Sequence, residues 1–138
     1  MTSSTQRRAK VIPVTVMASK MTGRLMMTVP AHGTARIRHV LPVPAGACPV
    51  SKNPLSGSAI IVYRPAGSAL EVVSLAQALA WATGRNEGAP RSAEELAAWL
   101  AGEACAVLGV PVAVRLDLVV NPGPQRLVVD HAVLPRNS

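Results

Sequence analysis

Cys48 is the residue of this sequence with the clearest capacity for covalent chemistry. It lies in the segment Ala47–Leu75, directly before Pro49, and Lys52 follows four residues later. A thiolate is a strong nucleophile, and nearby cations favour the thiolate form. The chain has one other cysteine, Cys105, and two cysteines are too few for a framework of disulfides. Cys48 is therefore either a catalytic nucleophile or a small buried hydrophobic residue.

Acidic and polar residues stand where two helices are predicted to begin. Glu71 and Ser74 open the first helix, and Glu94 opens the second. An acid at such a position either binds a ligand or complements the positive end of the helix dipole. Ser92 and Glu95 have the spacing of a capping box, in which Glu95 bonds the Ser92 amide. Glu94 is thus the free acid and the candidate for ligand binding.

Two histidines offer proton transfer. His39 and His131 are predicted on the apolar faces of strands, near the strand ends. A histidine there acts in acid–base catalysis or, more often, is a hydrogen-bonded core residue, and both interpretations stay open. The sequence has no HExxH or CxxC metal motif, no P-loop and no dinucleotide-binding glycine motif.

The elements that position these residues follow from apolar periodicity and turn residues. The pattern predicts strand, strand, helix, helix, strand, strand, which is an α+β fold with an antiparallel four-stranded sheet and two helices on one face. The strands are expected at 34–41, 58–64, 112–120 and 126–133, the helices at 71–83 and 92–108, and a long loop at 42–57. We expect 34–138 to be one domain, 1–10 a disordered basic tail, and 11–33 an extension with an extra hairpin of the runs 11–17 and 24–29.

The candidate core is aliphatic because the chain has no Phe. Helical spacing predicts one buried stripe on each helix. These stripes comprise Val72, Leu75, Ala76 and Leu79 on the first helix, and Leu96, Trp99, Leu100, Val107 and Leu108 on the second.

The region from Cys48 to Leu75 resembles the tunnelling-fold 7-cyano-7-deazaguanine (nitrile) reductases and their archaeal relatives, the amidine-forming enzymes of archaeosine synthesis. The matching features are Cys48-Pro49 with Ser51-Lys52, Tyr63-Arg64-Pro65, Leu70-Glu71, Ser74-Leu75 and Glu94-Glu95-Leu96. The resemblance covers roughly residues 34–133. The Cys-Pro-x-Ser-Lys piece is also similar, more weakly, to type IB GTP cyclohydrolases.

The resemblance implies both an assembly and a reaction. In a tunnelling fold, the sheets of several subunits join into a barrel, so a homo-oligomer with active sites at subunit interfaces is expected. Cys48 would add to a nitrile carbon and form a thioimide. Glu94 would accept two hydrogen bonds from the edge of a purine- or deazapurine-type base. Glu71, Ser74 and Lys52 would line the substrate site.

Departures from the family pattern redirect the expected reaction. Leu55 stands where the family has an aspartate as proton donor, so His39 or His131 is the candidate to replace it. Val73 and Ala76 replace the lysines that hold NADPH in the reductases. We therefore expect no cofactor, and an amidine- or amide-forming reaction rather than NADPH-dependent reduction.

Two alternatives remain open at this point. One is a cyclohydrolase-like enzyme acting on GTP or a pterin precursor, with zinc held by Cys48, a histidine and Glu94, although Ile60 stands where that family has a further histidine. The other is a non-catalytic module that binds a purine or tRNA. Residues 1–70 hold nine Lys and Arg and no acid, within a net charge of +7. That asymmetry indicates either an anionic or RNA partner or a solvated basic surface.

The hydropathy of the chain favours a cytoplasmic protein. It contains no continuous apolar run of about 18 residues, so no membrane partner is expected. The basic N-terminus lacks the apolar core of a signal peptide, because Pro13 interrupts the stretch that follows it.

Overall fold

The four long strands form one antiparallel sheet. The computed structural model of the protein describes residues 25–47, 54–120 and 125–136. In chain order the elements are β1 (Thr28–Pro30), β2 (Ile37–Ala47), β3 (Pro54–Tyr63), β4 (Ser68–Leu70), α1 (Val72–Thr83), α2 (Ala93–Leu108), β5 (Val112–Val120) and β6 (Gln125–Val133). The large sheet has the order β2-β3-β5-β6, and β1 pairs with β4 in a separate two-stranded sheet. The α+β architecture expected from the sequence is confirmed.

Both helices cover the same face of the large sheet. Alternate residues of β5 are buried, as the period of two in its sequence predicts. Three of their four partners in β3, Ala59, Ile61 and Tyr63, are buried as well, and they form one core with the apolar residues of the helices. The most deeply buried large side chains are Ile61, Leu70, Leu75, Leu100, Val112, Val114, Leu116 and Leu118. Neither helix of the described residues covers the other face of the sheet, which we call the outer face.

The predicted helical stripes are right in outline and wrong in three members. Leu75 and Leu79 of α1 are buried, but Val72 is 64% exposed and Ala76 is exposed, so the buried stripe of α1 runs through Ser74 and Ala78 instead. In α2, Val107 is exposed while its neighbours Ala104 and Cys105 are buried. Small buried residues such as Ser74, Ala78 and Ala104 let the two helices lie close to the sheet. The larger Val72 and Val107 lie on the solvent side.

The helix ends follow local signals in the sequence. Ser92 caps α2 through a bond from the Glu95 amide, and Gly109 ends α2 in the left-handed conformation with φ of 71°. Gly84 is the residue that follows α1, as expected, but its φ is −93°. The left-handed residue at this end is Arg85, with φ of 61°. An arginine in this region is strained, because its Cβ is crowded there.

The predicted loop at 42–57 is wrong over its whole described length, 42–47 and 54–57. β2 continues to Ala47, and β3 begins at Pro54. Pro42 pairs with Ser58 inside this ladder, and the register shifts between Val43 and Gly46. β2 is an edge strand, so its prolines need no amide hydrogen for a further neighbour. The result is a long hairpin whose connection, residues 48–53, lies outside the described residues.

The N-terminal extension joins the domain through β1. Thr28–Pro30 pairs with Ser68–Leu70, so the run 24–29 has β4 as its partner. The run 11–17, its expected hairpin partner, lies outside the described residues, as does the tail 1–10. Neither helix among the described residues is long and apolar enough to cross a membrane.

Candidate functional site

Glu71 is the N-cap of α1. Its two carboxylate oxygens accept the backbone amides of Val73 and Ser74, at 2.8 and 2.7 Å. The hydrogen bond from Val73 and then that from Ser74 lower the pKa of the Glu71 carboxyl, so it stays ionised near neutral pH. Glu71 therefore caps α1, and both of its carboxylate oxygens already have hydrogen-bond partners.

Ser74 ties the N-terminal extension to α1. Its hydroxyl oxygen accepts the Met27 amide at 2.8 Å and donates its proton to the Glu71 carbonyl at 3.1 Å. The Glu71 amide in turn donates to the Met27 carbonyl at 2.8 Å. Ser74 is buried, with 5% of its surface exposed. Both hydrogen-bonding functions of the hydroxyl are thus used in joining the chain before β1 to the start of α1.

His39 belongs to a series of hydrogen bonds that links β2, β3 and β4. Its Nε2 lies 2.8 Å from the Tyr63 hydroxyl, and the two rings stack with centroids 5.5 Å apart. The same hydroxyl accepts the Leu70 amide at 2.8 Å. Burial lowers the pKa of His39, which favours the neutral ring. A neutral His39 with its proton on Nδ1 can accept the Tyr63 hydroxyl proton at Nε2, and this tautomer uses both hydrogen-bonding functions of the hydroxyl.

Tyr63 belongs to the motif Tyr63-Arg64-Pro65 but was not predicted to be a functional residue. It is 3% exposed and occupies an inward position of β3, between apolar neighbours. Burial raises the pKa of its hydroxyl, and the bond from the Leu70 amide opposes that rise. The one signal in the sequence is a tyrosine where an apolar residue is expected, since a buried phenol requires a hydrogen-bond partner.

His131 is not brought to this cluster. It lies on β6 and is exposed, whereas His39 lies on β2, so the two occupy opposite edge strands. Register places both in one row, because His39 pairs with Ile61, Ile61 with Val114, and Val114 with His131. Three strand spacings amount to about 14 Å. The two histidines therefore cannot exchange a proton directly within one subunit.

The two acids at the start of α2 have different surroundings. Glu95 accepts the Arg91 amide at 2.9 Å, one residue before the Ser92 amide that the capping box predicts. Glu95 therefore keeps its capping role, but it accepts the Arg91 amide rather than the Ser92 amide. Glu94 is exposed, and its carboxylate has no hydrogen bond or ion pair with any residue in the described ranges. Of these two acids, Glu94 is the one available to a ligand.

Cys48 and Lys52 lie outside the described residues, but the strand ends that flank them are defined. Ala47 pairs with Pro54, and Leu55 pairs with Val120 at the same end of the sheet. His39 is eight residues from Ala47 along β2, which corresponds to about 26 Å of strand. His39, Glu71 and Ser74 therefore gather at one end of the sheet, and the chain enters the segment of Cys48 and Lys52 from the other end.

Metal-binding groups do not converge in the part of the chain that is described, where no three His, Cys, Asp or Glu side chains come together. Cys105 is buried in the core. No protein-family model matches this chain, and no curated protein matches it.

Proposed function

We propose that this protein is a tunnelling-fold enzyme that converts a deazapurine-type nitrile through a covalent bond to Cys48. The sulfur of Cys48 adds to the nitrile carbon, and the nitrile nitrogen takes a proton, which gives a thioimide. An amine or water then adds to the same carbon and expels the thiolate. The product is an amidine or an amide, and no hydride is transferred.

The observation that carries the proposal is the free carboxylate of Glu94. Its neighbour Glu95 caps the helix, and Glu71 caps α1, so both have other partners. Glu94 is exposed, with no partner among the described residues. A carboxylate with two free oxygens matches the ring N–H and exocyclic amine of a guanine-like edge. A planar base is the ligand that this geometry suits.

The order of elements along the chain supports the proposal that Glu94 and the segment containing Cys48 lie at the same end of the large sheet. α2 ends at Leu108 and β5 begins at Val112, so the C-terminal end of α2 lies at the Val112 end of the sheet. A helix of 16 residues is about 24 Å long. Because α2 packs along β5 and β6, we infer that its first turn lies towards the other end. That is the end at which Ala47 pairs with Pro54.

The tunnelling-fold part of the proposal concerns the edges of the sheet. Within the described residues, β2 and β6 are edge strands with unpaired backbone groups, and Val40 and Val128 on them are exposed. Exposed edges favour pairing with another sheet. We propose that copies of the chain join edge to edge into a closed barrel. Light scattering coupled to size-exclusion chromatography tests this, and a monomer at all accessible concentrations contradicts it.

Intact-mass measurement after incubation with 7-cyano-7-deazaguanine tests the chemistry. The wild-type protein should gain the full mass of the nitrile, since the addition has no leaving group. Cys48→Ala should show no gain, and Cys105→Ala, which removes the other thiol, should retain it. The proposal fails if the wild type forms no adduct, or if the adduct persists in Cys48→Ala.

A second pair of variants tests the binding of the base. Glu94→Gln removes a charged acceptor, and hydrogen bonds to charged groups contribute about 1.5–3 kcal/mol. Affinity for the nitrile should therefore fall by about tenfold to hundredfold. Glu95→Gln is the matched control, and its affinity should stay close to that of the wild type. Equal affinities for the two variants would contradict the role of Glu94.

A further inference from the structure

The outer face of the large sheet carries a shallow depression of about 560 Å³. Two rows of side chains, each made of register partners on all four strands, run across this part of the face. The first row comprises Arg38, Val62, Ala113 and Ala132, and the second comprises Val40, Ile60, Arg115 and Asp130. Ala113 and Ala132 lie side by side, whereas every other member of the two rows has a longer side chain. We attribute the depression to this pair of small residues, and we call it the alanine depression.

The floor of the alanine depression is apolar. Its apolar side chains are those of Ile60, Val62, Ala113 and Ala132. Val114 and His131 also line it, but Val114 is buried in the core and is the register partner of His131, so both direct their side chains to the opposite face. Since adjacent strands are about 4.8 Å apart, the floor is about 10–15 Å across. The volume lies within the range of about 300–1,000 Å³ that is typical of small-molecule sites.

Three charged side chains border the depression, and two of them neutralise each other. Arg115 Nε lies 2.7 Å from Asp130 Oδ1, and Arg115 Nη2 lies 3.2 Å from Asp130 Oδ2. Arg38, on the opposite edge strand, is exposed, and its side chain has no hydrogen bond or ion pair with any residue in the described ranges. The depression therefore presents one uncompensated positive charge beside an apolar floor.

The single positive charge distinguishes between classes of anion. A carboxylate carries one negative charge near neutral pH, and it matches the guanidinium fork with two parallel hydrogen bonds. A phosphate monoester carries about 1.5–2 negative charges, so part of its charge would stay uncompensated on Arg38 and would be repelled by Asp130 at the same depression. A purely apolar ligand would leave Arg38 without a partner. A carboxylate joined to a flat apolar body satisfies both Arg38 and the floor.

We propose that the alanine depression binds a small carboxylic acid in its ionised form, with the carboxylate on Arg38 and a flat apolar body on Ala113 and Ala132. Two strand spacings, about 10 Å, separate Arg38 from Ala113. A spacer of two or three methylene groups between carboxylate and ring, together with the length of the arginine side chain, spans this distance. This inference goes beyond the proposed function, because the site includes neither Cys48 nor Glu94.

Isothermal titration calorimetry of the full chain with 4-phenylbutyrate near neutral pH tests the inference. The wild type should bind this probe about tenfold or more tightly than 4-phenylbutyramide, which has the same body without the charge. Arg38→Gln should weaken binding of 4-phenylbutyrate by about tenfold or more, because a charged hydrogen-bond donor is lost. Ala113→Leu should also weaken it, because the larger side chain fills the floor. Arg91→Gln is the control: it removes the same charge from the loop between the helices, and it should change affinity by less than about threefold.

Four outcomes would overturn the inference. They are no detectable binding of 4-phenylbutyrate, equal affinity for 4-phenylbutyrate and 4-phenylbutyramide, equal weakening by Arg38→Gln and Arg91→Gln, and tighter binding of phenyl phosphate than of 4-phenylbutyrate. Circular dichroism would establish that each variant is folded, and the comparison of the probes on the wild type does not depend on any variant. Because no probe contains a nitrile, a failure here leaves the Cys48 adduct experiment unaffected.

Discussion

Replacing Tyr63 by Phe removes one hydroxyl group from the centre of the His39 cluster. That hydroxyl accepts the Leu70 amide and contacts His39 Nε2, each at 2.8 Å. The ring itself remains, so packing in the core changes little. The variant therefore isolates the two hydrogen bonds that connect β2, β3 and β4.

The expected loss of stability follows from the burial of the two partners. Leu70 is 2% exposed, so its amide cannot bond to water once the hydroxyl is gone. A buried donor without a partner costs about 1–3 kcal/mol. His39 is half-buried, and water can replace its lost partner at little cost. We therefore expect Tyr63→Phe to lower the free energy of unfolding by about 2 kcal/mol.

Urea unfolding followed by far-UV circular dichroism measures this loss, at one protein concentration because an oligomer is stabilised by mass action. The slope of the transition should be unchanged and its midpoint lower. His39→Gln is the comparison variant, since it removes only the half-buried partner, and it should lose less than about 1 kcal/mol. A loss below about 0.5 kcal/mol in Tyr63→Phe would refute the reasoning, because the Leu70 amide would then not depend on the hydroxyl.

Three further predictions concern pH, backbone geometry and capping. Burial lowers the pKa of folded His39 from 6.5, so the unfolded chain takes up the proton first as pH falls. The protein should lose stability below pH 6.5, and His39→Phe should flatten this part of a stability curve measured by urea titration at several pH values. Gly57 has φ of 149°, and a Cβ there would lie 2.1 Å from the Asp117 carbonyl oxygen. Gly57→Ala should therefore cost at least about 3 kcal/mol in thermal or urea unfolding, whereas Gly102→Ala, with open space in α2, should gain about 0.5–1 kcal/mol. Ser92→Ala should cost about 1 kcal/mol by the same measurement, and no loss would show that the Ser92 cap is not needed.

Several parts of the fold could be predicted from local sequence signals. The alternation in β5 gives its bounds as 112–120, and the helices begin and end within one residue of the expected positions. In both cases the signal is short-range, because a period of two or a cap depends on residues only a few positions apart. The lack of a partner for the Glu94 carboxylate among the described residues also follows from local spacing, because Glu95 is the acid placed to cap α2.

The candidate site was less predictable because its bonds join distant parts of the chain. Tyr63 reaches a residue of β2 and another of β4, and Ser74 bonds Met27, which is 47 positions away. The capping of α1 by Glu71 is local, but the sequence alone left its ligand-binding role equally open. Only coordinates showed that both of its oxygens already have partners.

The sequence by itself determined the element order, the inward face of β5 and the excess of cations in the first half of the chain. The tertiary structure alone decided that 42–47 and 54–57 are strands, because their pairing with each other, and the pairing of 55–57 with β5, outweighs the local turn preference of Pro and Gly. The tertiary structure also decided which arginines form ion pairs with an aspartate, namely Arg115 with Asp130 and Arg126 with Asp117. Pairing between strands depends on register, and register is fixed by burial of the whole sheet rather than by the residues on either side of a charge.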